Sequence, residues 1–171
     1  QQNIIYNGGR VGGIVSYESA GVKVYNNTIY GGESVSVYIN SDSLYSHGWD
    51  IQGNIFSQNG RAEISVLDPK SISTDSHNLV FPINPAHVYE IRIDGYEFLS
   101  LDQWQQRHQH GQNSIHADPL FRDATTYDFQ LQENSPAIDA GLDLGIQTDF
   151  DRNPRKQGAN VDLGAFEYMV Q

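Results

Sequence analysis

An asparagine returns at a near-constant interval, and each time it opens a short run of β-prone apolar residues. The runs are Asn3-Ile4-Ile5-Tyr6, Asn27-Thr28-Ile29-Tyr30, Asn54-Ile55-Phe56-Ser57 and Asn78-Leu79-Val80-Phe81, at steps of 24, 27 and 24 residues. A period in the twenties built from strand formers means stacked coils. One coil cannot bury its apolar face alone, so neighbours must stack to make a continuous core. An Asn at one corner of every coil can adopt a left-handed turn and hydrogen-bond its counterparts above and below. This logic predicts a parallel β-helix.

Each coil reads as three short strands. The first follows the Asn: Ile4–Tyr6, Thr28–Tyr30, Ile55–Ser57 and Leu79–Phe81. The second is expected at Gly13–Tyr17, Val35–Ile39 and Glu63–Leu67, and the third at Val22–Tyr25, Trp49–Gln52 and Ser71–Thr74. Runs such as Val35-Ser36-Val37-Tyr38-Ile39 alternate apolar and polar residues, which sends one face inward. Asn7-Gly8-Gly9, Gly31-Gly32 and Asn59-Gly60 supply turns. Residues 1–81 therefore form the coils. Residues 82–118 break the repeat. Val88 to Phe98 reads as a hairpin turning on Asp94-Gly95, and Ser100 with Gln103 forms a capping box for a short helix through Trp104 to about His108. Residues 119–171 are rich in loops and read as the final coil and a C-terminal cap over exposed strand edges. The fold class is all-β: a right-handed parallel β-helix of about four coils, with a hairpin-helix excursion and a loop-rich cap, in one structural domain.

The terminal motifs carry a resemblance. Asn26-Asn27-Thr28-Ile29-Tyr30, Asp118-Pro119-Leu120-Phe121, Ser135-Pro136-Ala137-Ile138-Asp139-Ala140-Gly141, the run 148–155 and Asp162-Leu163-Gly164-Ala165-Phe166-Glu167 resemble the C-terminal part of bacterial secreted right-handed parallel β-helix proteins. That group includes polysaccharide lyases and surface proteins ending in a choice-of-anchor segment. The resemblance implies the fold and a secreted or cell-surface setting. It implies no particular reaction, because one fold carries many chemistries.

Composition narrows the partners. Ten Lys and Arg stand against 21 Asp and Glu, giving a net charge of −11. Such a chain is a poor match for nucleic acid, which requires clustered cations. No run approaches the roughly 18 apolar residues of a membrane span. Cysteine is absent, which removes thiolate metal sites, thiol catalysis and disulfides. The chain begins at Gln1-Gln2-Asn3, already inside the repeat, with no leader in view. It reads as a processed or excised piece.

Two acidic groups suggest Ca²⁺. Glu18, Asp42 and Asp68 lie 14 or 15 residues after successive corner Asn residues, so equal offsets would stack them on one side at about 4.8 Å per coil. Stacked carboxylates repel unless a cation intervenes, so the file is either a Ca²⁺ site able to hold an acidic sugar or a hydrated turn. Asp149, Asp151 and Asn153 alternate like a calcium loop, but lack the glycine and distant glutamate of an EF-hand. Asp162 and Glu167 could complete that site. The competing reading is a cap turn held by Asp side chains and Arg155.

Tyr17, Tyr38, Tyr45, His47 and Trp49 fall on one side of the coils. Exposed rings there would stack on sugar faces, although Trp49 occupies a regular strand position and part of this set belongs to the core. The cations Arg10, Lys23, Arg61 and Lys70 form no lyase site with a carboxylate and a base. His108, His110 and His116 invite a zinc reading without a fixed acidic partner. Asp128 and Asp139 sit in terminal motifs as turn caps rather than as a glycosidase pair. Two functions follow from the sequence. One is a carbohydrate-directed protein that binds or degrades a polysaccharide. The other is a surface fibre or adhesin subunit that self-associates through coil edges.

Overall fold

A computed structural model of the chain describes residues 1–7 and 10–169. The expected turn at Asn7-Gly8-Gly9 falls partly outside the described residues. The first coil holds β1 (Ile4–Tyr6), β2 (Ile14–Ser16) and β3 (Lys23–Tyr25). The second holds β4 (Thr28–Tyr30), β5 (Val35–Ile39) and β6 (Trp49–Gln52). The third holds β7 (Ile55–Ser57), β8 (Ala62–Val66) and β9 (Ile72–Ser76). A fourth, incomplete coil adds β10 (Leu79–Phe81) and β11 (Tyr89–Ile91). Then come β12 (Glu97–Leu99), a helix α1 (Leu101–His108) and β13 (Ile115–His116), followed by the pair β14 (Phe121–Asp123) and β15 (Asp128–Leu131). The first sheet runs β1-β4-β7-β10-β13 and the second β2-β5-β8-β11-β12, while the third is β3-β6-β9. All pairings within the coils are parallel, and this is a β-solenoid of three full coils and part of a fourth.

The corner Asn residues form a ladder. Each one's Oδ1 accepts both the backbone N–H and the side-chain amide of the Asn one coil earlier: Asn3 onto Asn27 at 3.0 Å, Asn27 onto Asn54 at 2.9 Å, and Asn54 onto Asn78 at 2.9 Å. A fifth rung was not foreseen. The Asn78 amide donates to Ser114 Oγ at 3.0 Å, 36 residues on. The left-handed turn sits one residue before each rung rather than on it: Gln2, Asn26, Gly53, His77 and Asn113 all have positive φ. The rung Asn is thereby freed to spend its side chain on inter-coil bonds.

Inside the coils, Ile29, Phe56 and Val80 of the first sheet meet Val37, Ile39, Ile64 and Val66 of the second and Val24, Trp49, Ile51 and Ile72 on the third side. Burying such side chains contributes about 1.5–3 kcal/mol each.

Two segments sit differently from expectation. The hairpin is no side excursion, because β11 continues the second sheet in parallel with β8 while pairing antiparallel with β12. Its connection is five residues long, so Asp94-Gly95 lies within a longer loop than a two-residue turn. The helix forms where expected. Ser100 accepts from the Gln103 amide and Gln103 Oε1 accepts from the Ser100 amide. It closes the core: Leu101 and Trp104 are buried, Trp104 stacks on Tyr89 at 4.3 Å, and Trp104 Nε1 donates to Asp75 at 2.9 Å.

The C-terminal segment was expected to cover the last coil. It lies instead along the outer face of the first sheet, where Phe121, Phe129, Leu131, Leu163 and Ala165 pack on Ile55 and Leu79. Tyr127 reaches the first coil and stacks on Tyr6 at 4.4 Å. The physical reason is that this outer face is itself apolar. Ile4, Tyr30, Ile55, Leu79 and Phe81 point outward and need a partner. The docking is tightest at Gly164. Its N–H donates to Gly53 O at 2.7 Å, and the Ala165 N–H donates to Thr28 Oγ1 at 3.0 Å. Gly164 has φ +86°, and a Cβ there would lie 2.7 Å from Ile55 Cδ1 and Thr28 Oγ1. Gly164→Ala is therefore expected to cost roughly 1–3 kcal/mol through overpacking, plus about 1 kcal/mol for the left-handed backbone. Limited proteolysis should then cut the C-terminal segment faster than in the parent. An unchanged cleavage rate would contradict this docking.

Candidate functional site

Strand alternation decides what the second sheet shows to solvent. Val37, Ile39, Ile64, Val66, Tyr89 and Ile91 face the core, so Tyr38, Ser65 and Glu90 take the outer face. Register stacks them: Tyr38 pairs with Ser65, and Ser65 with Glu90. Arg92 follows β11 and reaches back over two coils. Its Nη1 donates to the Tyr38 hydroxyl at 2.9 Å and to Asn40 Oδ1 at 2.7 Å, and Nη2 donates to Ile39 O at 2.9 Å. The guanidinium stands 4.2 Å from the Tyr38 ring centre, a cation–π contact. Its Nε is buried and has no partner.

Beside it, Glu90 is fully buried although it points outward. Arg61 covers it, with Nε at 2.7 Å and Nη2 at 2.5 Å, and Ser65 Oγ donates at 2.5 Å. Arg61 also lies 4.8 Å from the Tyr96 ring centre. Burial alone would lower the Arg61 pKa, but Glu90 and Tyr96 outweigh it and raise it. Glu90 therefore neutralises Arg61, whereas among the described residues no carboxylate pairs with Arg92. Arg92 thus lays a guanidinium without a carboxylate partner on the half-buried ring of Tyr38, on a chain of net charge −11.

Of the rings expected to meet sugar, Tyr17 and Tyr38 belong to this strip. Tyr17 is 60% exposed and lies just beyond β2, and Tyr38 is half-buried under Arg92. Tyr45 and His47 are exposed in the loop between β5 and β6. That loop docks on the first coil: Ser41 Oγ donates to Tyr17 O, the Ser19 amide donates to Ser46 Oγ, and Ala20 bridges His47. Trp49 is core. It is 1% exposed, its Nε1 donates to Ser19 O at 3.1 Å, and it shows no face to a ligand. Glu90, Arg92 and Tyr96 were missed, and Arg61 was weighed only as a lyase cation. The spacing that would have found them runs from Tyr38 through Ser65 to Glu90, one coil at a time.

The acidic positions are occupied with turns. Register aligns Glu18 and Asp68 with Ser41, one residue away from Asp42. Asp42 Oδ1 accepts the Leu44 amide, and Asp68 Oδ1 accepts the Lys70 amide. Burial would raise the Asp68 pKa, but the Ser43 hydroxyl and the Lys70 and Ser43 amides lower it overall. In the C-terminal segment, Asp149 is buried and accepts from the Asn153 backbone and side chain and from the Glu167 amide. Asp151 points elsewhere, taking Gln130 Nε2 at 2.8 Å. Asp162 accepts the Asp139 and Tyr168 amides, and Glu167 meets buried Arg155 at 2.8 Å. Burial and the Asp162 charge push Glu167 up to about 7, with Arg155 opposing. These bonds tie the segment into a knot, with the acids bonded to backbone amides.

His108 and His110 pack around Trp104, and burial lowers both pKa values. His116 is exposed on β13. Asp128 and Asp139 cap turns, accepting the Gln130 and Asn160 amides. Among the described residues, no three or more His, Cys, Asp or Glu side chains converge as metal ligands, and no helix is long and apolar enough to cross a membrane.

Comparison with known proteins adds one partial likeness. No family model matches the chain, and no solved structure matches it. Over 41 residues it is 44% identical to the uncharacterized protein YwoF of Bacillus subtilis (strain 168), a match covering 24% of this chain and 9% of that protein.

Proposed function

We propose that this protein binds a polysaccharide along the outer face of the second sheet, over Tyr17, Tyr38, Asn40 and Arg92. The observation that carries the reading is Arg92, a guanidinium without a carboxylate partner among the described residues, laid across Tyr38 on the parallel second sheet. Sheet strands repeat at about 4.8 Å, so the strip from the first coil to the fourth is about 14 Å long and suits an extended chain. Phenol rings take sugar C–H faces, and a guanidinium takes hydroxyls or a uronate carboxylate. An acidic polymer is favoured because Arg92 has no counter-ion of its own. The reading is of binding rather than cleavage: Glu63 and Glu90, the carboxylates that β8 and β11 turn to this face, are both fully buried, Glu63 beside Asn59 and Ser36 and Glu90 beneath Arg61, and neither has access to a glycosidic oxygen. The resemblance to secreted β-helix proteins supports a setting outside the cell.

Affinity electrophoresis through gels carrying polygalacturonate, alginate, hyaluronan or neutral xylan tests this, with Ca²⁺ and with chelator. The acidic polymers are expected to retard the parent. Arg92→Ala and Tyr38→Ala should each weaken binding roughly tenfold, the scale of a lost hydrogen bond to a charged group. Arg152→Ala, on the exposed C-terminal segment, should leave binding unchanged. Identical mobility in every gel would refute the reading.

A further inference from the structure

A cleft of about 380 Å³ lies between the first sheet and the C-terminal segment, on a different side of the coils from the Arg92 strip. Its floor follows from register. Tyr30, Ser57 and Phe81 pair across β4, β7 and β10 and all point outward. A small residue between two large ones leaves a notch one coil wide. At its bottom, Ser57 is 1% exposed, and its Oγ has no hydrogen-bond partner. A buried hydroxyl without a partner is costly; this one lies beneath the floor of the cleft, where solvent does not reach it.

The facing wall is Leu120 and Phe121, with Gln132 at the rim. Leu120 is held at φ 50° by Asp118 Oδ1, which accepts its amide at 2.9 Å, and its carbonyl accepts the Gln132 amide at 2.9 Å. Gln132 is exposed, and its Nε2 donates to Phe121 O at 2.7 Å, which leaves its side-chain oxygen to act as an acceptor. Gln58 stands at the other rim, also with positive φ.

We infer that this cleft binds one ring of a neutral sugar, the aromatic floor taking its C–H face while Gln58 and Gln132 take its hydroxyls. The volume lies in the range of ligand sites, about 300–1,000 Å³. An apolar ligand would use the rings but neither of the amide side chains Gln58 and Gln132. An anion would meet Asp118 and no cation, since none lines the cleft. A polyhydroxylated ring with one apolar face satisfies both the rings and the amides. The inference uses none of the residues of the Arg92 strip and stands apart from that proposal.

The test is an NMR titration of ¹⁵N-labelled protein with cellohexaose, maltohexaose, mannohexaose and xylohexaose, following the side-chain amides of Gln58 and Gln132 and the Leu120 backbone amide. At least one probe is expected to shift these three signals saturably. Gln132→Ala, an exposed change that leaves the fold intact, should weaken that binding at least fivefold. Gln58→Ala, at the other rim, should weaken it as well. Three outcomes would overturn the inference: no shift with any probe, shifts confined to the Arg92 strip, or unchanged affinity in Gln132→Ala.

Discussion

Asn54→Ala is expected to lower stability by about 3–5 kcal/mol. Asn54 is fully buried, and its side chain serves three coils at once. The two Nδ2 hydrogens are shared among Val24 O at 2.8 Å, Gln52 O at 3.0 Å and Asn78 Oδ1 at 2.9 Å, while Oδ1 accepts both amides of Asn27. Alanine leaves the Asn27 backbone amide and its side-chain amide without their acceptor in the interior. Each stranded group costs roughly 1–3 kcal/mol. At about 2–4 °C per kcal/mol for a chain of this length, the midpoint of thermal unfolding should fall by on the order of 10 °C. Asn3→Ala removes an exposed terminal rung with a single ladder neighbour and should shift the midpoint only slightly. Equal effects at the two positions would show that the ladder is not a structural spine.

Raising the pH from 5 to 8 should destabilise the protein, with Glu63 and Glu167, each pushed up to about 7 by burial, the largest contributors. Glu63 is fully buried beside Asn59 and Ser36, both of which donate to its Oε2. Burial pushes its pKa up to about 7 against those donors. Burial also pushes Asp75, under Tyr89 and Trp104, up to about 6. A carboxyl whose folded pKa is raised binds its proton more tightly when folded. Its contribution is complete below the unfolded value, near 4 for these groups, and is lost as pH rises through the folded value. For Glu63, a rise from 4.5 to about 7 corresponds to about 3 kcal/mol at roughly 1.4 kcal/mol per unit. Glu63→Gln can keep its carbonyl where Oε2 sits and place its amide where Oε1 has no partner. The variant should therefore match or fall below the parent near pH 5 and exceed it at pH 8. Melting curves at the two values check this. A parent that is more stable at pH 8, or a variant shifted equally at both, would contradict it.

The coils were legible in the sequence because a solenoid writes its period into its corners. Asn3, Asn27, Asn54 and Asn78 recur at one coil length, and the strands after them lie where the alternation predicts. The fifth rung was not legible, because Ser114 replaces Asn and follows a 36-residue step that no repeat count anticipates. Nor was the position of the C-terminal segment. Contacts such as Thr28 with Ala165 span 137 residues, and no local pattern encodes them. Trp49 reads the same as an exposed ring or a core ring until its strand's inward face is known. Arg92 and Tyr38 are 54 residues apart, two coils in register, and only the coil lengths through the irregular fourth coil bring them together. The acidic file failed for a related reason. Counting from the corner Asn ignored turn-length differences, which place Asp42 one residue out of register with Glu18 and Asp68.

The central functional claim is that the outer face of the second sheet holds a polysaccharide. The most direct measurement is a crystal structure of the protein with an oligogalacturonide soaked into the lattice. The account predicts the sugar chain over Tyr17, Tyr38 and Asn40, with a carboxylate or hydroxyl on the Arg92 guanidinium. An oligosaccharide bound on another face, or this strip left bare at saturating concentration, would contradict it.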